Sequence, residues 1–315
     1  MRTSMTHRVA VSATATALAL LLAACGADGA AAPGSGADGA AAAAAELDTI
    51  SPGVIKVAIQ PYMPYTGSKA GKLEGLDSQI LEAVAGKLGL MVEPQVTDFN
   101  GMLGNVQSRR VDISIGGIAW TKERAAQGLF TDPPYYSPPA LATHGGKKIN
   151  TVDDLKDLRL GTVTGYVWAK SIKAVPGSQP HTYPDANGVF ADIGSGRLDA
   201  GFLDPLLITY TQAQRPDLGI ETQYMQAPTA EQVKASPDYA YFQPYMTGFY
   251  LPKDAPKLEK AISQQIDAMY ASGEMATLIS KWGGDPAQFL KPAASMTEER
   301  RAVDRPASWS APSAP

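Results

Sequence analysis

Cysteine occurs once in 315 residues, at Cys25, and histidine three times. A lone cysteine excludes an internal disulfide and a thiolate metal cluster. Past the first 24 residues the only histidines are His144 and His181, and from residue 49 onward the chain contains no Gly-x-Ser-x-Gly, His-Glu-x-x-His or Gly-x-Gly-x-x-Gly. The residues that a nucleophile elbow, a zinc hydrolase or a dinucleotide site would need are therefore missing, and neither cofactor nor metal is expected. Clustered positive charge is also absent. The formal charge of -4 becomes -6 without the first 24 residues, which hold Arg2 and Arg8 and no acid, so nucleic acid is not an expected partner. What is present is globular: 44% hydrophobic and 18% charged residues, enough to bury the cores of about two domains.

The first apolar run, Val9 to Ala24, is too short and too rich in Ser and Thr for a transmembrane helix. Behind a basic start (Arg2, His7, Arg8) it reads as an export signal covering residues 1–24. The stretch Leu22-Ala23-Ala24-Cys25 resembles a bacterial lipobox, which implies cleavage before Cys25 and lipidation of its thiol. Within residues 25–48 the stretch from Gly26 to Ala45 is mostly Ala and Gly with nothing large to bury. Residues 25–48 are expected to form a flexible tether with a mean reach of about 25 Å.

The most informative feature is a repeat. Asp98–Asp112 and Asp185–Asp199 align without a gap, with six identities: Asp98/Asp185, Asn100/Asn187, Gly101/Gly188, Ser108/Ser195, Arg110/Arg197 and Asp112/Asp199. Apolar pairs fall at Met102/Val189, Leu103/Phe190, Val106/Ile193 and Val111/Leu198. Each copy reads as an amphipathic helix feeding a buried strand. Two copies about ninety residues apart predict two similar α/β lobes rather than a solenoid. The strand ends then correspond as Gly117 and Asp204, which should face each other across a cleft at the carboxyl ends of the strands.

Around the repeat, strand Val54–Ile59, a helix from Asp77 to Leu88 with Asp77 as its N-cap, and strand Met91–Val96 give a β-α-β-α-β order, the pattern of a parallel sheet. Pro133, Pro134, Pro138 and Pro139 mark a crossing into a second lobe, with strand Arg159–Val163 and a helix from Val167 to Ala174. A return near Gln243-Pro244-Tyr245 precedes one strand, Met246–Leu251, and a helix, Pro256–Ser272. The predicted fold is α/β and two-lobed, each lobe an open, mostly parallel sheet flanked by helices, with a hinge and a central cleft. Residues 49–138 and 246–290 make the first lobe and 139–245 the second; residues 291–315, rich in Ala, Pro, Ser and charge, are expected to be disordered.

Taken in order, Gly75-Leu76-Asp77, Leu88-Gly89, Arg110-Val111-Asp112, Thr121-Lys122-Glu123-Arg124, Phe130-Thr131-Asp132-Pro133, Asp154-Leu155-Lys156, Ser195–Ala200 and Lys281-Trp282-Gly283 resemble the solute-binding proteins of ABC importers, specifically the polar amino-acid family 3. The resemblance spans Val54 to Gly284 and implies a periplasmic-binding-protein-like fold whose lobes hinge shut on a small molecule. It implies that Arg124 grips a ligand carboxylate and Asp204 its ammonium, although an aspartate before Pro205 is also a standard helix cap. It places Tyr62 and Phe99 as aromatic walls and Gly117 where backbone approaches the ligand; Tyr65, Trp120, Tyr135, Tyr136 and Trp282 are expected to pack. Two places depart from the family pattern: Ala119 stands where Ser or Thr is usual, and Tyr166-Val167 where a Thr/Ser pair follows the glycine. The ligand is thus expected to be amino-acid-like but not an ordinary free α-amino acid: a modified or N-substituted one, or an amine whose cation meets Asp204 among Tyr62, Phe99 and Tyr166. The expected partners are that ligand, the permease subunits of an ABC importer and the membrane through the lipid; the chain is expected to act as a monomer. Two other readings remain open at this point: an exported dehydratase-like enzyme on the same fold, and a sensory lipoprotein.

Overall fold

The computed structural model describes residues 44, 46–292 and 294–313. Cys25, the signal segment and most of the tether lie outside the described residues. Two five-stranded sheets form the frame. In the first, Val54–Ile59 sits between Met91–Val96 and Ile113–Ser114, all parallel. In the second, Arg159–Val163 sits between Gln179–Tyr183 and Ala200–Phe202, again parallel. Each parallel trio, the product of its β-α-β-α-β order, is extended by two more strands, the first antiparallel to the trio and the second antiparallel to the first: Tyr250–Leu251 then Leu129–Phe130 in the first sheet, Ala140–His144 then Ile220–Tyr224 in the second.

The repeat is a repeat of bonds as well as letters. Asp98 caps the helix Phe99–Gln107 by accepting from Gly101 N, and Asp185 caps Ala186–Gly194 by accepting from Asn187 N and Gly188 N. Downstream, Asp112 accepts from Lys56 N at 2.8 Å and Asp199 from Arg159 N at 2.9 Å, so each ties its short strand to the central strand of its own sheet.

Two short strands, Tyr136–Ser137 and Tyr245–Met246, pair antiparallel between the lobes. After the first crossing the chain supplies Ala140–His144 to the second sheet; after the return it supplies Tyr250–Leu251 to the first. The strand expected over Met246–Leu251 is therefore two strands, broken at Thr247-Gly248-Phe249. A Cβ on Gly248 would lie 2.7 Å from the Phe130 ring, so the backbone packs there where a side chain cannot. The helix Pro256–Ser272 matches its expected limits, buries Leu258, Ile262, Ile266 and Met269 at helical spacing, and ends at Gly273 with φ +77°.

Three local expectations are corrected. The helix Leu76–Lys87 begins at Gly75, and Asp77 does not cap it: its carboxylate accepts from Gly116 N at 2.8 Å and Gly117 N at 2.9 Å, and Tyr135 Oη donates to it at 2.8 Å. The end of the tether segment docks on the fold, where Asp48 accepts from Lys257 N at 2.7 Å and satisfies a first-turn N–H of a helix. The tail is not disordered as far as Ser313. Residues Ala294–Arg301 form a helix, and Arg300 is 0% exposed, donating to Thr131 O and to Asp304. Among the described residues, no helix is long and apolar enough to cross a membrane.

Candidate functional site

Strand ends converge between the two sheets, where loops are free to present side chains. From the first lobe come Tyr62 beyond Val54–Ile59, Phe99 at a helix start, Gly116 and Gly117 beyond Ile113–Ser114, and Arg124 in the short helix Lys122–Ala125 capped by Thr121. The second contributes Tyr166, Val167 and Trp168 beyond Arg159–Val163 and Asp204 beyond Ala200–Phe202, while Tyr245 reaches in from the hinge. Phe99, Gly116, Gly117, Ala119, Arg124, Tyr166, Val167, Trp168, Asp204 and Tyr245 line one cleft whose own side chains leave a cavity of about 20 Å³. Every residue expected from the sequence to meet the ligand, Tyr62 excepted, lines this cleft, and Tyr62 bonds directly to Asp204 at its floor.

Gly117 and Asp204 do face each other: a Cβ built on Gly117 would stand 3.4 Å from Asp204 Oδ2. The backbone there has φ +66°, which glycine adopts without strain. Asp204 is 4% exposed and opens the helix Pro205–Gln214, yet its side chain makes no capping bond. It turns into the cleft instead, where the phenols of Tyr62 and Tyr245 donate to Oδ2 and Oδ1. Burial pushes its carboxyl up to about 7, against the pull of the Tyr62 hydrogen bond and with a contribution from the Asp77 charge. Asp77, buried in turn, is pushed up to about 6.

Arg124 donates to Ala119 O at 2.7 Å and across the cleft to Gly165 O at 3.0 Å, and its guanidinium lies 5.1 Å from the centre of the Phe99 ring. These bonds fix its plane over the opening while leaving further N–H donors of its five. Aromatic rings complete the enclosure: Phe99 and Tyr166 are 4.8 Å apart, Tyr62 and Tyr166 6.0 Å, and Trp168 and Tyr245 5.7 Å. Gln60 Nε2 donates to Tyr166 Oη at 2.8 Å and holds that ring upright. An opposed cation and acid among aromatic walls can hold a small zwitterion. Among the described residues, no three His, Cys, Asp or Glu side chains cluster as metal ligands would.

Sequence reasoning missed Trp168, Tyr245, Gln60 and Gly116. Gln60 and Gly116 lay beside residues already chosen, a usable signal. Tyr245 carried only a hinge signal, and Trp168 only that of a helix start.

Residues 55–285 match the bacterial extracellular solute-binding proteins, family 3. The chain belongs to this family. Its family 3 relatives include the L-cystine-binding protein TcyJ of Escherichia coli (strain K12), 29% identical over 217 residues, which are 68% of this chain and 76% of that protein. The arginine-binding extracellular protein ArtP of Bacillus subtilis (strain 168) is 25% identical over 224 residues, 70% of this chain and 82% of that one. Among solved structures, an ancestral arginine-binding protein bound to glutamine superposes with a TM-score of 0.63 at 26% identity, over 75% of this chain and all of that one. The two-lobed fold and the extracytoplasmic solute-binding role follow from membership in family 3. Residues 291–313, tail helix included, lie beyond the matched segment.

Proposed function

We propose that this protein captures a small amino-acid-like zwitterion or amine outside the cytoplasm and delivers it to the permease of an ABC importer. One observation carries the reading: Arg124 from one lobe and Asp204 from the other line a single aromatic cleft between two hinged sheets. Arg124 offers a planar pair of donors to a carboxylate, and Asp204, ionised, offers the counter-charge to an ammonium. Tyr62, Phe99 and Tyr166 supply walls, Gly117 the close backbone, and Ala119 and Val167 apolar contact. Closure of the lobes completes the site and marks the loaded form for the permease. One chain holds both halves, so a monomer suffices. The names of the relatives support this ligand class.

Calorimetry on the purified protein tests it. Arg124→Ala and Asp204→Ala should each weaken binding at least about tenfold, since a hydrogen bond to a charged group contributes about 1.5–3 kcal/mol. Unchanged affinity in both variants would remove these residues from the site. Attachment to the membrane through Cys25 is part of the same reading: two acyl chains anchor firmly where one does not. Cys25→Ala should release the protein into the medium, and retention on the membrane would sink the anchor.

One observation favours a second reading as an enzyme. A buried carboxyl raised to about 7 in a cleft is what a general acid needs near neutral pH. The two readings part on the fate of the ligand: a binding protein returns it unchanged by mass spectrometry, and an enzyme does not.

A further inference from the structure

Asp204 is the only anionic side chain lining the cleft among the described residues, and both of its carboxylate oxygens already accept phenol hydrogens, from Tyr62 and Tyr245. A primary ammonium brings three N–H donors and needs acceptors for them. None of the lining residues carries a serine or threonine hydroxyl. The carbonyls of Ala119 and Gly165 accept from Arg124, and Tyr166 Oη accepts from Gln60. Nor are the two glycine N–H groups open to a carboxylate, since both point to Asp77. Beyond one further acceptor position on each Asp204 oxygen, the cleft is poor in hydrogen-bond acceptors and rich in ring faces.

A cation whose N–H bonds are replaced by N–C bonds has the opposite needs. It makes no demand on acceptors, leaves the two phenol bonds to Asp204 in place, and gains from a counter-charge and from aromatic faces in a desolvated site. Arg124, set over the Phe99 ring at the other side, is the group that meets a carboxylate. We propose that the ligand class is a fully N-alkylated ammonium carboxylate, with its quaternary nitrogen among Tyr62, Tyr166, Trp168 and Tyr245 against Asp204 and its carboxylate on Arg124. Selection against ordinary amino acids follows from the unmet N–H donors, because a buried donor without a partner costs more than a made bond contributes. The inference rests on the zwitterion reading above and narrows it.

The test is calorimetry with the full mature chain. The probes are glycine and its N-methyl, N,N-dimethyl and N,N,N-trimethyl derivatives, proline and N,N-dimethylproline, tetramethylammonium, and the twenty free amino acids. A fully methylated member should bind at least about tenfold tighter than its unmethylated parent and tighter than any free amino acid, with tetramethylammonium weaker than its carboxylate-bearing counterpart. A free amino acid that binds as tightly as the methylated probes overturns this proposal and leaves the zwitterion reading standing. Failure of both classes to bind overturns both. Tyr245→Phe separates the causes, because it keeps the ring and frees one Asp204 oxygen. The preference for methylated over free ammonium should then narrow severalfold, and an unchanged ratio would show that the phenol bonds do not set it.

Discussion

Tyr62 and Asp204 join the two lobes directly, the phenol of one donating to a carboxylate oxygen of the other with both side chains buried. The closed arrangement is thus held partly by the protein's own groups. Tyr62→Phe keeps the ring stacked on Tyr65 at 5.5 Å and removes only the hydroxyl. At pH 8, where Asp204 is ionised, stability should drop by about 1.5–3 kcal/mol, the value of a bond to a charged group, and at pH 5 by less. Urea denaturation at the two pH values measures both, and an unchanged midpoint at pH 8 contradicts the bond.

The same carboxyl gives two pH dependences of opposite sign. An unfolded aspartate titrates near 3.9, whereas folded Asp204 is raised to about 7 and Asp77 to about 6, in both cases chiefly by burial. Between these values the folded chain holds protons that the unfolded chain has released, so these two groups make the ligand-free protein less stable as pH rises through that window. A cationic ligand prefers ionised Asp204, so its affinity should instead increase with pH up to about 7, by at most about tenfold per unit. Thermal melts and calorimetry from pH 5 to 8 would reveal the crossing trends. A ligand affinity flat across that range places no cation on Asp204.

Gly117→Ala should act on both fold and site. The residue sits at φ +66°, where an L side chain costs roughly 1–2 kcal/mol, and the new methyl would lie 3.4 Å from Asp204 Oδ2 and 3.7 Å from the Tyr62 ring. Stability should fall by that amount, and affinity should fall with it. Gly104→Ala is the contrast, since a Cβ there meets nothing within 4 Å inside a helix, and alanine should stabilise by roughly 0.5–1 kcal/mol. Equal effects from the two substitutions would refute the positional argument.

What could be read from the sequence was what rests on local patterns. The helix-strand unit was legible twice because its caps and apolar spacing act within a few residues, and Asp112 and Asp199 hold matching bonds in the two sheets. Gly117 and Asp204 were legible as partners because equivalent strand ends must meet in a two-lobed sheet fold. Asp77 was misread as a cap, and the capping role also open to Asp204 is not used, for the converse reason: their carboxylates bond to groups distant in the chain, and a helix-start pattern carries no trace of that. Tyr245 enters the cleft only because the returning hinge strand pairs with Tyr136–Ser137, a tertiary fact. The tail was misjudged from its polar composition, since its burial depends on a few large residues rather than on an apolar stripe.

Those residues support the last prediction. Arg300 is fully buried, with its guanidinium 5.8 Å from the Trp120 ring centre and 5.2 Å from that of Trp309. Asp304 bonds to Arg300 at 2.7 Å and also accepts from the Trp120 indole at 3.1 Å. Arg305 ties the same segment to Asp132 at 2.9 Å and Glu259 at 2.8 Å, both in the first lobe. Removing one partner of a buried pair strands the other charge, at a cost of about 3–5 kcal/mol, whereas replacing both with apolar or neutral groups can cost far less. Arg300→Met should therefore destabilise strongly, and Arg300→Met combined with Asp304→Asn by less than the sum of the two single changes. Because Trp120 lies four residues before Arg124, truncation after Leu290 should also expose the Trp120 indole, shift its fluorescence to the red and weaken ligand binding. A truncated chain with unchanged stability, emission and affinity would mean that the tail only rests on the surface, which the complete burial of Arg300 contradicts.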